Sequence, residues 1–138
     1  DRSSIFKNMK RVGAWIPAEA KFDGPAGPNH SSELAAARYE MSRCITCGCC
    51  LDACPQVTGP NGFVGAAILN QVQLMNSHPS GEKDADARLE MLMGKGGAED
   101  CGNSQNCVQV CPKGIPLTTS IAKINRELTT KMFRDLVS

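Results

Sequence analysis

Apolar residues recur every three or four positions along most of this chain, a spacing that predicts amphipathic α-helices. No stretch of useful length alternates apolar and polar residues as a β-strand would. Helices are predicted over residues 1–12, 64–75, 84–92 and 116–136. A further helix is predicted to begin at a serine cap, at position 31 or 32, and to run to about residue 43. The pattern therefore predicts an all-α fold.

The segments between these helices are of two kinds. Glycine and proline predict an irregular arm over residues 13–30 and a turn at Gly59-Pro60-Asn61-Gly62. Residues 44–54 and 101–111 are instead rich in cysteine and form an imperfect internal repeat. The last helix carries the longest apolar stripe, formed by Leu117, Ile121, Ile124, Leu128, Met132 and Leu136.

Composition narrows the class of protein. The chain has 138 residues, a length typical of one domain, and only 4% of them are aromatic. A hydrophobic core with so few aromatic side chains is thin for this length, so the eight cysteines are the candidates for additional stabilisation. The net charge is +1 without a basic patch, which argues against nucleic acid as a partner, and no apolar run is long enough to span a membrane. Because the chain begins with Asp1 and carries no signal peptide, we expect a processed piece or a fragment.

The first cysteine segment has the spacing Cys-x2-Cys-x2-Cys-x3-Cys-Pro, with its members at Cys44, Cys47, Cys50, Cys54 and Pro55. Bacterial ferredoxins use this spacing, in which three thiolates surround one iron–sulfur cluster and the fourth binds the neighbouring cluster. The proline prevents the loop from continuing as regular helix.

The second segment repeats the motif with Ser104 at the position that matches Cys47. If the fourth cysteines are exchanged between the segments, the first cluster has four thiolate ligands: Cys44, Cys47, Cys50 and Cys111. The second cluster then has only three: Cys54, Cys101 and Cys107. A cube with one unligated corner readily lacks that iron, and a serine oxygen is a harder ligand that matches this iron poorly. The spacing therefore predicts one 4Fe–4S cluster and one 3Fe–4S cluster.

The eighth cysteine, Cys49, does not fit the repeated spacing. We expect a buried thiol that binds no iron, and a redox-sensing or alternative ligand is the other interpretation. Zinc on Cys-x2-Cys pairs is disfavoured because the x3-Cys-Pro ending occurs twice. A disulfide framework is disfavoured because the chain lacks a secretion signal.

The pairing of CITCGCCLDACP (44–55) with CGNSQNCVQVCPKG (101–114) resembles the iron–sulfur subunit of succinate dehydrogenase and fumarate reductase. GPNGFVGAAILNQ, HPSGEKDADARLEML and the opening DRSSIFKNMKRVGAWIP are similar as well, so the resemblance covers essentially the whole chain. It implies the same ligand sets and a non-ligand Cys49. It also implies that residues 1–138 are the C-terminal alpha-helical ferredoxin domain, with 1–30 as the linker from an absent N-terminal domain that holds a 2Fe–2S cluster.

The resemblance further implies a subunit that relays electrons and performs no bond chemistry. Electrons would pass from an FAD flavoprotein subunit through the 2Fe–2S, 4Fe–4S and 3Fe–4S clusters to quinone, beside membrane-anchor subunits of cytochrome b type. The expected location is peripheral, on the cytoplasmic or matrix face of the energy-transducing membrane. Two alternatives stay open: a free-standing soluble seven-iron ferredoxin, and the iron–sulfur subunit of another quinone-linked reductase.

In this family quinone lies near the 3Fe–4S site, which implies that Pro55, Gln56, Gly102 and Ser104 are close to it. Ubiquinone-using members often carry tryptophans after the fourth cysteine of the first run, where this chain has Gln56. Several carry a histidine where this chain has Gly102. The departure indicates menaquinone or a different quinone location. Succinate oxidation and fumarate reduction use the same relay, so both directions stay open.

Overall fold

The computed structural model describes residues 1–17, 29–57 and 62–138. The helices within them are α1 (Ser3–Arg11), α2 (Ser32–Ser42), α3 (Cys49–Asp52), α4 (Ala66–Ser77), α5 (Pro79–Glu82), α6 (Ala85–Leu92), α7 (Asn106–Gln109) and α8 (Leu117–Val137), with a 3-10 helix at Ala98–Asp100. No described residue belongs to a β-strand, which confirms the all-α prediction. The middle of the predicted arm and most of the predicted turn at 59–62 lie outside the described residues.

The long helices follow the predicted segments, and their ends show local causes. The Ser31 side chain caps α2 by accepting a hydrogen bond of 3.2 Å from the backbone N–H of Leu34. Helix α4 begins at Ala66 and not at Val64, since Gly65 between them has a φ of 89° and is not helical. The four-residue helices α3 and α7, inside the cysteine loops, were not predicted.

Helix α4 is the centre of the fold and packs against α1, α2, α3, α5, α6 and α8. Its buried apolar side chains are aliphatic, as are most of those around it. Among the described aromatic residues Phe63 is buried, whereas Phe6, Trp15, Tyr39 and Phe133 are at least half exposed. The core is therefore built with little aromatic volume, as the composition indicates.

Only the first part of the predicted stripe on α8 belongs to this core. The stripe residues Leu117, Ile121, Ile124 and Leu128 are buried, but Met132 is 51% exposed and Leu136 is 79% exposed. The stripe continues past the core for a geometric reason. Helix α8 has 21 residues and its main partner α4 has 12, so the last turns of α8 extend past the core.

Arg88 on α6 is a buried charge that the apolar pattern did not predict; it is 2% exposed. Its guanidinium donates to the carbonyls of Gly13, Trp15 and Gly81 at 2.8, 2.9 and 2.7 Å. It also donates to the side-chain oxygen of Asn76 at 3.0 Å. Burial lowers the pKa of Arg88. This one side chain therefore fastens the segment after α1 to α4, α5 and α6.

Candidate iron–sulfur cluster sites

Two cavities lie between the cysteine loops and the N-terminal ends of α4 and α8. The first has a volume of about 370 Å³, its open mouth included, and its lining contains four cysteines: Cys44, Cys47, Cys50 and Cys111. The second has a volume of about 330 Å³ on the same measure, and its lining contains three: Cys54, Cys101 and Cys107. The fold thus brings together, cavity by cavity, the residues that the cysteine spacing groups into two ligand sets.

The two loops exchange their last cysteines because the short helices α3 and α7 pack against each other. Cys54 follows α3 and reaches the cavity of the second loop, while Cys111 follows α7 and reaches the cavity of the first. Each cavity therefore needs both loops to complete its set of thiols.

The internal repeat extends to the backbone. Thr46 and the matching Asn103 both have a φ of 52°, and Gly48 with a φ of 87° matches Gln105 with a φ of 60°. Left-handed residues in such loops turn backbone N–H groups towards a common point, an arrangement that binds anions at many iron–sulfur sites. Ser104 lies between the two left-handed residues of the second loop, as Cys47 does in the first, and it lines the second cavity.

The N-terminal ends of the two longest helices lie between the cavities. At the start of α4, Ala67 lines the first cavity and Ala66 lines the second. At the start of α8, Leu117 lines the first and Thr118 lines the second. The backbone N–H of Ala67 also donates to the sulfur of Cys50. Because a helix N-terminus carries partial positive charge, both helices stabilise thiolates in the cavities.

The thiols that line the two cavities differ in acidity from one residue to the next. Burial raises the pKa of Cys50 to about 12 and also raises the pKa of Cys107. The pKa of Cys47, an exposed residue, is lowered chiefly by a hydrogen bond from the backbone N–H of Cys49. A metal ligand must be the thiolate, so the buried thiols require a cationic centre that offsets the cost of their charge.

The donor sets fit clusters better than single ions. Among the described residues, no three His, Cys, Asp or Glu side chains converge closely enough to hold one metal ion. A zinc site needs its ligands around one atom at about 2.3 Å for sulfur. An iron–sulfur cube instead takes one thiolate at each of several separate iron corners. Thiols spread around a cavity therefore suit a cluster.

Cys49 is exposed, so the expectation that it is buried is wrong. Its thiol donates a hydrogen bond to Cys47, which raises the pKa of Cys49, and it does not line either cavity. It is the first residue of α3, and its neighbour Cys50 takes the inward direction.

The residues predicted to lie near quinone are on the side of the second cavity. Gly102 and Ser104 line it and are exposed, and Pro55 is also exposed. Gln56 is half-buried and its side-chain amide lies against Gly102, because a Cβ added to that glycine would be 2.6 Å from Gln56 Nε2. These four residues therefore share one neighbourhood, in which Ser104 is at the corner without a thiol.

Comparison with known protein families matches residues 40–115, more than half of the chain, to the family described as a 4Fe-4S dicluster domain. The chain belongs to this family. It is 51% identical over 135 residues to the succinate dehydrogenase iron-sulfur subunit of Bacillus subtilis, and the match covers 98% of this chain and 53% of that protein. It is 33% identical to the fumarate reductase iron-sulfur subunit of Wolinella succinogenes, covering 94% of this chain and 55% of that one.

A third relative is the mitochondrial succinate dehydrogenase [ubiquinone] iron-sulfur subunit of Candida glabrata, 34% identical with 93% of this chain and 51% of that protein covered. These matches confirm the resemblance found from the cysteine motifs. The chain spans about half the length of the curated relatives it matches. In the part of the chain that the structure describes, no helix has the length and apolar character needed to cross a membrane.

Proposed function

We propose that this chain is the part of a succinate:quinone oxidoreductase or quinol:fumarate reductase that relays electrons through a 4Fe–4S and a 3Fe–4S cluster. The observation that carries the proposal is the pair of cavities, one lined by four cysteines and the other by three with Ser104 at the matching corner. Bound clusters would supply one-electron sites whose potentials depend on cluster type, hydrogen bonds to sulfur and exposure. The bond chemistry on succinate or fumarate would take place on another subunit.

The protein's contribution is to hold and insulate the two clusters. Cys44, Cys47, Cys50 and Cys111 would bind the first, and Cys54, Cys101 and Cys107 the second. The N-terminal ends of α4 and α8 and the left-handed loop residues would stabilise the negative charge of both. The packing of α3 on α7 holds the two sites next to each other, which suits a relay whose electron must cross from one site to the other.

The surrounding assembly follows from the relatives, whose names describe them as subunits of succinate dehydrogenase or fumarate reductase. We place residues 1–138 in the C-terminal ferredoxin domain, with an N-terminal 2Fe–2S domain before the linker at 1–30. The partners would be an FAD flavoprotein, cytochrome b type membrane anchors and quinone. The complex would lie on the cytoplasmic or matrix face of the membrane.

One contact supports the order of the relay. Arg2 donates a hydrogen bond of 3.3 Å to the carbonyl of Thr46, so the start of α1 lies beside the loop of the four-cysteine site. A domain that precedes residue 1 would then deliver electrons first to this site. The three-cysteine site, with Gln56 and Gly102 beside it, would pass them to quinone.

Iron analysis and electron paramagnetic resonance on the anaerobically prepared protein test the proposal. Four and three ligated corners predict about seven irons in this domain, with an oxidised 3Fe–4S signal and a reduced 4Fe–4S signal. Zinc in place of iron, or two equivalent four-iron clusters, would contradict it. A soluble seven-iron ferredoxin would show the same spectra but would elute alone in gel filtration with a flavoprotein subunit.

A further inference from the structure

The three-cysteine site depends on a thiol that comes from the other loop, and two side-chain amides connect the segment that carries this thiol to the second loop. Asn106 Nδ2 donates a hydrogen bond of 2.9 Å to the backbone carbonyl of Ala53, the residue before Cys54. Gln56, two residues after Cys54, places its amide against Gly102, where an added Cβ would be 2.6 Å from Nε2. The segment that carries Cys54 is therefore contacted on both sides.

Each contact joins Cys54 to a different partner thiol of the same site. Asn106 directly precedes Cys107, and Gly102 directly follows Cys101. The hydrogen bond from Asn106 therefore sets the distance between the backbones that carry Cys54 and Cys107. The packing of Gln56 on Gly102 likewise sets the distance between the backbones that carry Cys54 and Cys101.

The hydrogen bond from Asn106 also satisfies a backbone carbonyl that has no partner within α3. Ala53 is the C-cap of the four-residue helix α3, where carbonyl groups have no partner within the helix. The bond is partly buried, so water would only partly replace it at the Ala53 carbonyl if the donor were lost. Removing the donor while keeping the size of the side chain should therefore loosen the joint between the two loops.

The four-cysteine site has no amide at the matching position. In the repeat, the residue that matches Asn106 is Cys49. Cys49 is exposed, and its thiol donates a hydrogen bond to Cys47 within its own loop. That site has four thiolates to retain its cluster, and the other has three. A contact that positions the ligands should contribute more to cluster retention at the site that has three thiolates than at the site that has four.

We infer that Asn106 and Gln56 are positioning residues that hold Cys54 in the three-cysteine site, without binding iron themselves. The inference rests on the proposed function, since it requires the 3Fe–4S cluster. It adds that cluster retention at this site depends on two amides outside the set of ligands.

The test compares cluster retention in the full-length protein within its complex. Asn106→Asp keeps the size of the side chain and removes the donor. During incubation with an iron chelator, the oxidised three-iron resonance signal of this variant should decay roughly five- to tenfold faster than in the wild type. The four-iron signal should decay at the wild-type rate. Asn125→Asp, the same change at an exposed position on α8, is the matched control and should alter neither signal.

A second variant tests Gln56 without removing it. In Gly102→Ala the new Cβ pushes the Gln56 amide away, and the flexible end of that side chain can move without unfolding the loop. Gly102→Ala and Gln56→Ala should accelerate loss of the three-iron signal to the same extent. The double variant should be no worse than Gln56→Ala alone, because the two changes act on one contact.

The outcomes separate the two proposals. A wild-type protein that shows no three-iron signal overturns the proposed function, and this inference with it. A normal wild-type signal that decays at an unchanged rate in Asn106→Asp and Gln56→Ala overturns the inference alone. Equal acceleration at both clusters also overturns it, because that result indicates a general loss of stability.

Discussion

Ser104 has the backbone position in the second loop that Cys47 has in the first, and it faces the second cavity between two left-handed residues. A cysteine there would put a thiol at the open corner without rebuilding the loop. We expect Ser104→Cys to accept a fourth iron when iron is in excess. The oxidised three-iron signal should weaken, and the potential of the site should fall towards that of a 4Fe–4S site, because cluster type sets the potential.

The matched control is Cys49→Ser. Cys49 is exposed and lines neither cavity, so both clusters should survive its replacement. An unchanged resonance spectrum of Ser104→Cys under iron excess would show that position 104 is not the missing corner.

The different acidities of Cys47 and Cys50 lead to a prediction about thiol reactivity in the metal-free protein. The thiolate is the form that reacts with alkylating agents. The pKa of Cys47 is lowered from 9.0, so this exposed thiol should be alkylated first and already below pH 9.0. The pKa of buried Cys50 is raised to about 12, so its rate should keep rising with pH between 9.0 and about 12.

Mass spectrometry of peptides after brief iodoacetamide treatment at several pH values measures these rates. The same treatment in denaturant is the control, because unfolding should make the two rates similar. Equal rates without denaturant would mean that the fold does not impose the difference.

At the scale of elements, the approach of α4 to the first cysteine loop depends on Gly65. A Cβ at this position would lie 2.0 Å from Leu51 Cδ2 and 3.2 Å from Val57 Cγ2, and Leu51 is buried. The φ of 89° and ψ of 162° also belong to a region that only glycine adopts readily. The absence of a side chain thus lets the start of α4 reach both cavities.

Gly65→Ala and Gly94→Ala form a matched pair, because both glycines have positive φ but no atom lies within 4 Å of a Cβ at Gly94. Gly94→Ala should lower the free energy of unfolding by about 1–2 kcal/mol, the cost of the left-handed backbone. Gly65→Ala should cost more and should also speed the loss of both clusters, since Ala66 and Ala67 retreat from the cavities. Denaturant unfolding and the two resonance signals measure this. Equal effects of the two variants would contradict the role of Gly65.

At the scale of the whole molecule, the two sites should differ in potential. Potential depends on cluster type: an oxidised 3Fe–4S cluster contains only ferric iron, whereas an oxidised 4Fe–4S cluster is already half ferrous. The three-cysteine site should therefore accept an electron more easily and have the higher potential. In the proposed relay, electrons from succinate would finish there. Redox titration of the two resonance signals measures the order.

Bulky substitutions at Gln56 and Gly102 should then slow quinone reduction and change the apparent quinone affinity. Succinate oxidation by an artificial acceptor at the flavin should change less. Substitutions at Ile45 and Thr46, which line the four-cysteine cavity, should impair the relay without altering quinone affinity. Rates must be normalised to the intact three-iron signal, because Gln56 and Gly102 also affect retention of the cluster. The proposed order is wrong if changes at Gln56 and Gly102 leave quinone affinity and turnover intact.

The amino-acid sequence by itself determined the fold class, most helix positions and the grouping of seven cysteines. These features depend on short separations along the chain. Apolar residues three or four positions apart share a helix face, and loop thiols with two residues between them can surround a common point. The repeat extends this reasoning to Cys54 and Cys111, whose exchange places them in the cavities that the structure shows. Their binding of iron is still a prediction.

Tertiary structure decided what the spacing does not encode. Arg88 is buried because three carbonyls from two other segments surround it, and Gly65 is required because Leu51 lies across from it. Cys49 is exposed because the side chain of its neighbour Cys50 points into the four-cysteine cavity. Met132 is exposed because α8 extends past the end of α4, its main packing partner. Each outcome depends on contacts between parts of the chain far apart in sequence, and the periodicity of one segment carries no information about what the other segments place against it.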